Sequence, residues 1–235
     1  MSTLISEVNT MPEATQQRSG RSTGRRTRNM HDKQQRIFAA ARSLFEAHGF
    51  EAVTVAQIAD TADVAAGTLF RYASSKAELL LMVYNDQFRQ AIETGMRNAA
   101  DIDDPSAAVF AMVAPVITEA ARQPDNATAY QRELLFGAPT ERFRAEGLAH
   151  VKRLEDAIAA RLTHCRPADP ATDTELQANA DRAARSVFAA LHLLVVQPST
   201  GVKWGADGAH ELLQQINQIV LGFLASTTPR EGETS

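Results

Sequence analysis

Residues 54–80, Thr54-Val-Ala-Gln-Ile-Ala-Asp-Thr-Ala-Asp-Val-Ala-Ala-Gly-Thr-Leu-Phe-Arg-Tyr-Ala-Ser-Ser-Lys-Ala-Glu-Leu-Leu80, decide the fold. Thr54 followed three residues later by Gln57 is a capping box, so a helix starts near Val55. Ile58, Ala59, Ala62, Val64 and Leu69 supply the apolar contacts of two crossing helices, with the small Ala59 allowing a close approach. Asp63 sits at the turn between them, and Asp is one of the few residues other than Gly that visits positive φ at modest cost. The second helix is expected from Ala65 to Tyr72. Ser75 with Glu78 forms a further capping box and starts a longer helix at Lys76. Two short helices joined by a tight turn are the layout of a helix-turn-helix DNA reader.

Gly67-Thr68-Leu69-Phe70-Arg71-Tyr72, then Ser75-Lys76 and Glu78-Leu79-Leu80, resembles the recognition-helix signature of the TetR family of bacterial one-component repressors. The preceding segment, His31 to His48 with Gly49-Phe50, is similar to that family's first helix. Three positions depart from the pattern: Asp63 stands where the family usually has Gly, Ala65 where it often has a capping Ser or Thr, and Ala73 where it often has Phe. The resemblance implies an all-α protein, with an N-terminal three-helix helix-turn-helix domain followed by a larger helical ligand-binding and dimerisation domain. It also implies a repressor released from a palindromic operator by a small apolar or aromatic ligand. A DNA binder without an inducer, constitutive or controlled by a protein partner, is the alternative.

The DNA contacts expected are Thr54, Ala65, Ala66, Gly67, Thr68, Phe70, Arg71, Tyr72 and Lys76. An α-helix fits the major groove, where Gly67 lets the backbone approach, Thr68 offers a hydroxyl and a methyl, and Arg71 can reach guanine or a phosphate. By the resemblance, Thr54, Tyr72 and Lys76 contact phosphates, which set register without reading sequence. Leu69 belongs to the core, and Phe70 could serve either core or DNA.

Charge is partitioned along the chain. The whole carries −4, yet residues 1–76 hold ten Lys/Arg against seven Asp/Glu, and the remainder is correspondingly acidic. A basic front on an acidic body suits a phosphate-contacting module, although an acidic surface also serves solubility. Arg18, Arg21, Arg25, Arg26 and Arg28 cluster in a polar segment, residues 1–30, expected to be a disordered basic arm that either tracks DNA or is only a solvated tail. The reader spans 31–80, the helical body 81–226, and a mobile tail 227–235.

Within the body, helices are expected near 105–122, 126–136, 140–163, 172–196 and 208–225, bounded by Pro and Gly. Ala183, Val187, Ala190, Leu191 and Leu194 form an apolar stripe on one of the last two, and Leu212, Leu213, Ile216, Ile219, Val220 and Phe223 on the other. These stripes are read as a homodimer interface, with completion of the monomer's core as the alternative. Phe110, Met112, Val113, Phe136, Phe143, Phe188, His192 and Trp204 are candidates for an apolar ligand pocket, though such residues are also ordinary core.

Other chemistries find little support. There is no HExxH, no GxSxG, no glycine-rich phosphate loop and no carboxylate-histidine repeat, so a helical-bundle enzyme is a remote alternative and neither cofactor nor metal is expected. The single Cys165 excludes an internal disulfide and a multi-cysteine zinc site. No apolar run approaches the roughly 18 residues that span a membrane, and no apolar signal core opens the chain, which points to the cytoplasm.

Overall fold

The computed structural model describes residues 17–138, 142–164, 173–200 and 208–226, all in helices and their connections. The order is α1 (Gln17–His48), α2 (Val55–Thr61), α3 (Ala66–Leu69), α4 (Lys76–Asn98), α5 (Pro105–Arg122), α6 (Pro124–Phe136), α7 (Arg142–His164), α8 (Asp173–Thr200) and α9 (Gly208–Ser226). Trp204 and Cys165 lie outside the described residues.

The reader is α1 to α3 packed on the start of α4. Ile37, Ala41 and Phe45 from α1 meet Ile58, Ala59, Ala62 and Leu69, and Leu79, Leu80 and Val83 close the core from α4. α4 then continues into the body, where it packs against α5, α6 and α7, while α8 packs on α6, α7 and α9. At Gly95 the α4 and α5 backbones touch: a Cβ there would lie 1.9 Å from the Met112 carbonyl oxygen, so only Gly permits this crossing.

Local chemistry explains most boundaries. Asp104 caps α5 by accepting from the Ala107 amide at 2.7 Å, and Pro105 and Pro124 occupy first-turn positions of α5 and α6, where a missing N–H costs nothing. Two expectations are corrected. α1 starts at Gln17, so the segment carrying Arg18 to Arg28 is helical from that point instead of a coil reaching to residue 30. α8 runs through Pro198 to Thr200, since a proline near a helix end forfeits only one backbone bond.

The apolar stripes of the last two helices face the chain's own core. Ala183, Val187, Leu191, Leu212, Ile216, Val220 and Phe223 are buried within the monomer, whereas Leu193 on α8 and Leu221 on α9 stay 43% and 56% exposed. Among the described residues no helix is long and apolar enough to cross a membrane.

Candidate DNA-reading face and ligand pocket

α2 is capped as its sequence dictates. Thr54 Oγ1 accepts from the Gln57 amide at 3.3 Å, and Gln57 Oε1 accepts from the Thr54 amide at 2.8 Å. At the turn Asp63 adopts φ 50°, and its carboxylate meets Arg36 Nη1 at 3.0 Å. α3 is shorter than expected, ending at Leu69, with looser turns carrying the chain on to Ala73. Ala65 has no side-chain oxygen to cap the first amides, and Gly67 is a poor helix former, so a single regular turn survives.

This short helix turns one face outward. Ala65, Ala66, Gly67, Phe70 and Arg71 are exposed and Thr68 is half-buried, while Leu69 is fully buried beneath them. A Cβ at Gly67 would meet nothing within 4 Å, so nothing inside the protein demands Gly there. Phe70, 51% exposed, belongs to the outer face.

Two expected phosphate contacts also have partners within the protein. Lys76 Nζ donates to the carbonyls of Phe50 (2.9 Å), Val53 (3.1 Å) and Glu51 (3.3 Å) and stands 4.3 Å from the centre of the Phe50 ring. Its ammonium thereby laces the α1–α2 connection. The Tyr72 hydroxyl donates to the Met30 carbonyl of α1 at 3.3 Å. Ser75 caps α4 as expected, accepting from the Glu78 amide, but the Glu78 carboxylate turns to the Ser74 amide and hydroxyl and to the Arg142 amide at the start of α7. Burial alone would raise the Glu78 carboxyl; the Ser74 amide and hydroxyl, with the Phe143 and Arg142 amides, outweigh it and hold the group below its ordinary value.

Sequence reasoning did not mark the residues that line a cleft among the described part of the body. A cleft of about 40 Å³ opens between α4, α5, α6 and α8, with Phe88, Ala91, Val116, Ala120, Ala127 and Val195 as its apolar wall and Tyr84, Gln87, Glu119, Tyr130 and Gln131 as its polar members. None of the candidate ligand residues among the described ones lines it. Met112, Val113, Phe143 and Phe188 are buried core, Phe110 is half-buried, and Phe136 is 79% exposed at the end of α6. His192 Nδ1 lies 3.0 Å from Gln131 Oε1, and its ring stacks on Phe188, so it stands behind the pocket through Gln131. The search for large aromatics missed the cleft because space remains where side chains are small, here Ala91, Ala120 and Ala127. A larger polar groove of about 480 Å³ adjoins it between α1, α4 and α5, sharing Gln87, Ala91 and Glu119.

The pocket abuts the joint between body and reader. Asn126, on α6 and 1% exposed, donates from Nδ2 to the Phe45 carbonyl at 2.8 Å and accepts at Oδ1 from the Phe50 amide at 2.7 Å. Gln123 Nε2 donates to the Glu46 carbonyl, and Arg132 pairs with Glu51 at 3.4 Å. No feature of the sequence marked Asn126, because its partners lie at the far end of another helix.

A helix-turn-helix reader held by side chains of a larger helical body is the architecture of a DNA-binding regulator. Residues 37–83 match the family model for bacterial regulatory proteins, tetR family. Residues 37–83 are thus similar to the N-terminal domain of that family, and the described helices share the all-helical fold of solved structures of its members. It is 30% identical over 130 residues to the HTH-type transcriptional repressor KstR of Mycobacterium tuberculosis, covering 55% of this chain and 58% of that protein. Against KstR of Rhodococcus jostii it is 38% identical over 64 residues, 27% of this chain and 30% of the relative. Among solved structures, a TetR transcriptional regulator from Rhodococcus sp. RHA1 superposes with TM-score 0.62 at 18% identity, covering 83% of this chain and 96% of that one. Thermus thermophilus FadR, a TetR-family repressor in complex with lauroyl-CoA, gives 0.57 at 23% identity, covering 86% and 98%.

Proposed function

We propose that this chain is a transcriptional repressor that binds a near-palindromic operator as a homodimer and is released by a small, largely apolar ligand seated in its body. The observation that carries this reading is the exposed face of α3: Gly67, Thr68, Phe70 and Arg71 lie outward above a buried Leu69, with an open approach at Gly67. Two identical readers require a two-fold related site. Leu193 and Leu221, exposed on the last two helices, support pairing through the outer side of α8 and α9. Its work on chromosomal DNA places it in the cytoplasm. The lauroyl-CoA bound by T. thermophilus FadR supports a ligand-holding body.

The test is selection of duplexes from a random pool, followed by affinity and stoichiometry measurements. Wild type should select a two-fold symmetric site and bind it as a dimer, and Arg71→Ala should lose about 1–3 kcal/mol on that site while changing scrambled duplex little. A monomer that selects no sequence defeats the reading. One observation favours a regulator without an inducer, namely the small volume, among the described residues, of the cleft between α4, α5, α6 and α8. A thermal-shift screen with apolar compounds separates the two, since a ligand that binds the folded state raises its melting temperature.

A further inference from the structure

The pocket between α4, α5, α6 and α8 combines three features that together specify a ligand and a route for its effect. The first is an unpartnered donor. Tyr84, 6% exposed, lines the pocket with its hydroxyl buried and, among the described residues, without a hydrogen-bond partner, lying beside Asn126 without completing a bond to it. Both ends of the Asn126 carboxamide are already engaged with Phe45 and Phe50. A buried hydroxyl left unpaired is costly, and an incoming acceptor removes that cost.

The second feature is size. About 40 Å³ accommodates roughly three waters, whereas a cavity that holds benzene measures about 150 Å³. Any organic ligand must therefore displace a wall. The third feature decides which wall moves. α4 and α5 are in backbone contact at Gly95, which fixes their spacing. α6 is a short helix, its pocket face is Ala127, Tyr130 and Gln131, and Asn126 adjoins that face.

Building on the repressor reading above, we propose that this pocket binds a compact apolar molecule carrying one hydrogen-bond acceptor, such as a carbonyl, anchored by the Tyr84 hydroxyl. Its entry wedges α6 away from α4 and α5, and Asn126 then withdraws from the Phe45 carbonyl and the Phe50 amide. The reader loses the clamp that sets its position on the body. Ligand and operator weaken each other because each prefers a different position of α6.

The experiment uses acetophenone and ethylbenzene, similar frames with and without a carbonyl, titrated calorimetrically into wild type, Tyr84→Phe and Asn126→Ala, with and without the selected duplex. Wild type should prefer acetophenone about 3- to 10-fold, the worth of one hydrogen bond, and Tyr84→Phe should erase that preference. The duplex should weaken acetophenone binding at least about fivefold in wild type and leave it unchanged in Asn126→Ala. As a check that needs no probe, Ala120→Leu fills the pocket from α5 and should itself weaken duplex binding while circular dichroism stays native. The proposal is overturned if neither probe binds, if Tyr84→Phe keeps the preference, if coupling survives in Asn126→Ala, or if Ala120→Leu blocks acetophenone yet binds duplex like wild type. A wild type that selects no duplex defeats the repressor reading instead, and the Tyr84 comparison still stands on its own.

Discussion

Replacing Lys76 by methionine separates two roles that one cation could play in the reader. Methionine keeps most of the apolar stem and removes the ammonium. In the structure that ammonium serves three carbonyls, and two of them, Phe50 and Val53, are partly shielded from water. A hydrogen bond involving a charged group contributes roughly 1.5–3 kcal/mol. The Glu51 carbonyl is exposed and can turn to solvent, so its loss counts for little. The Phe50 ring adds about 0.5–1 kcal/mol of cation–π attraction. Lys76→Met should therefore destabilise the reader by about 3.5–7 kcal/mol, read as a lower urea midpoint at constant m-value. DNA affinity should fall because the loop that presents Thr54 loosens, yet the slope of log affinity against log salt should stay as in wild type, since no phosphate counterion was released by this residue. A phosphate contact predicts the reverse: stability within about 0.5 kcal/mol of wild type and a slope smaller by about one. That second pattern would refute the structural role.

Further measurements reach other parts of the molecule. Gly95→Ala forces a Cβ onto the Met112 carbonyl and should cost about 1–3 kcal/mol or more in thermal unfolding; a neutral result would mean that α4 and α5 separate freely. His192 is held below its ordinary imidazole value by burial, so the unfolded chain takes up a proton before the folded one does. Stability should consequently decline as pH drops below about 6.5, and His192→Asn should flatten that decline in denaturation curves at pH 7.5 and 5.5. In the first helix, Arg18, Arg21, Arg25 and Arg28 recur at helical spacing with Gly20 and Gly24 between them. Replacing both glycines by Ala leaves charge untouched and favours helix by roughly 1 kcal/mol each, so duplex affinity should rise if a helix presents these cations and stay level if the segment is only a tail.

What the sequence disclosed was whatever neighbours in the chain decide. The Thr54–Gln57 capping box, the positive φ of Asp63 and the Asp104-Pro105 start of α5 each depend on residues within one turn, and each stands where its spacing put it. The shortness of α3 was not read, although the missing cap at Ala65 was noted as a departure and is its local cause. Less legible were the side chains whose partners are distant in the sequence. Lys76 is spaced like a phosphate contact, and only the folded position of residues 50–53 reveals that carbonyls have taken its donors. The lining of the cleft between α4, α5, α6 and α8 was hidden for a different reason. Aromatic side chains at helical spacing fill space, whereas a pocket is defined by space left over, and hydrophobicity alone does not distinguish an Ala that faces a gap from one that closes it.

The joint between reader and body carries the synthesis of these observations. A helix leaves its last carbonyls without intrahelical partners, and something must satisfy them. At the end of α1 the Gly49 amide and Asn126 Nδ2 both bond the Phe45 carbonyl, Gln123 Nε2 serves Glu46, and Lys76 serves Phe50. Of these donors Asn126 sits on α6 and Gln123 is its N-cap, so the bonds that complete the reader's first helix also fix its position on the body. Each neutral bond contributes about 1 kcal/mol net, and the exposed Arg132–Glu51 pair less. Their sum is a few kcal/mol, the same order as the roughly 1–3 kcal/mol by which coupled sites usually influence each other. A ligand of micromolar affinity, about 8 kcal/mol, has ample free energy to break such a clamp. It could not part α1 from α4, where Leu79, Leu80 and Val83 are wholly buried in the shared core. α4 therefore acts as the pivot that holds the reader to the body, and α6 as the contact that decides its angle.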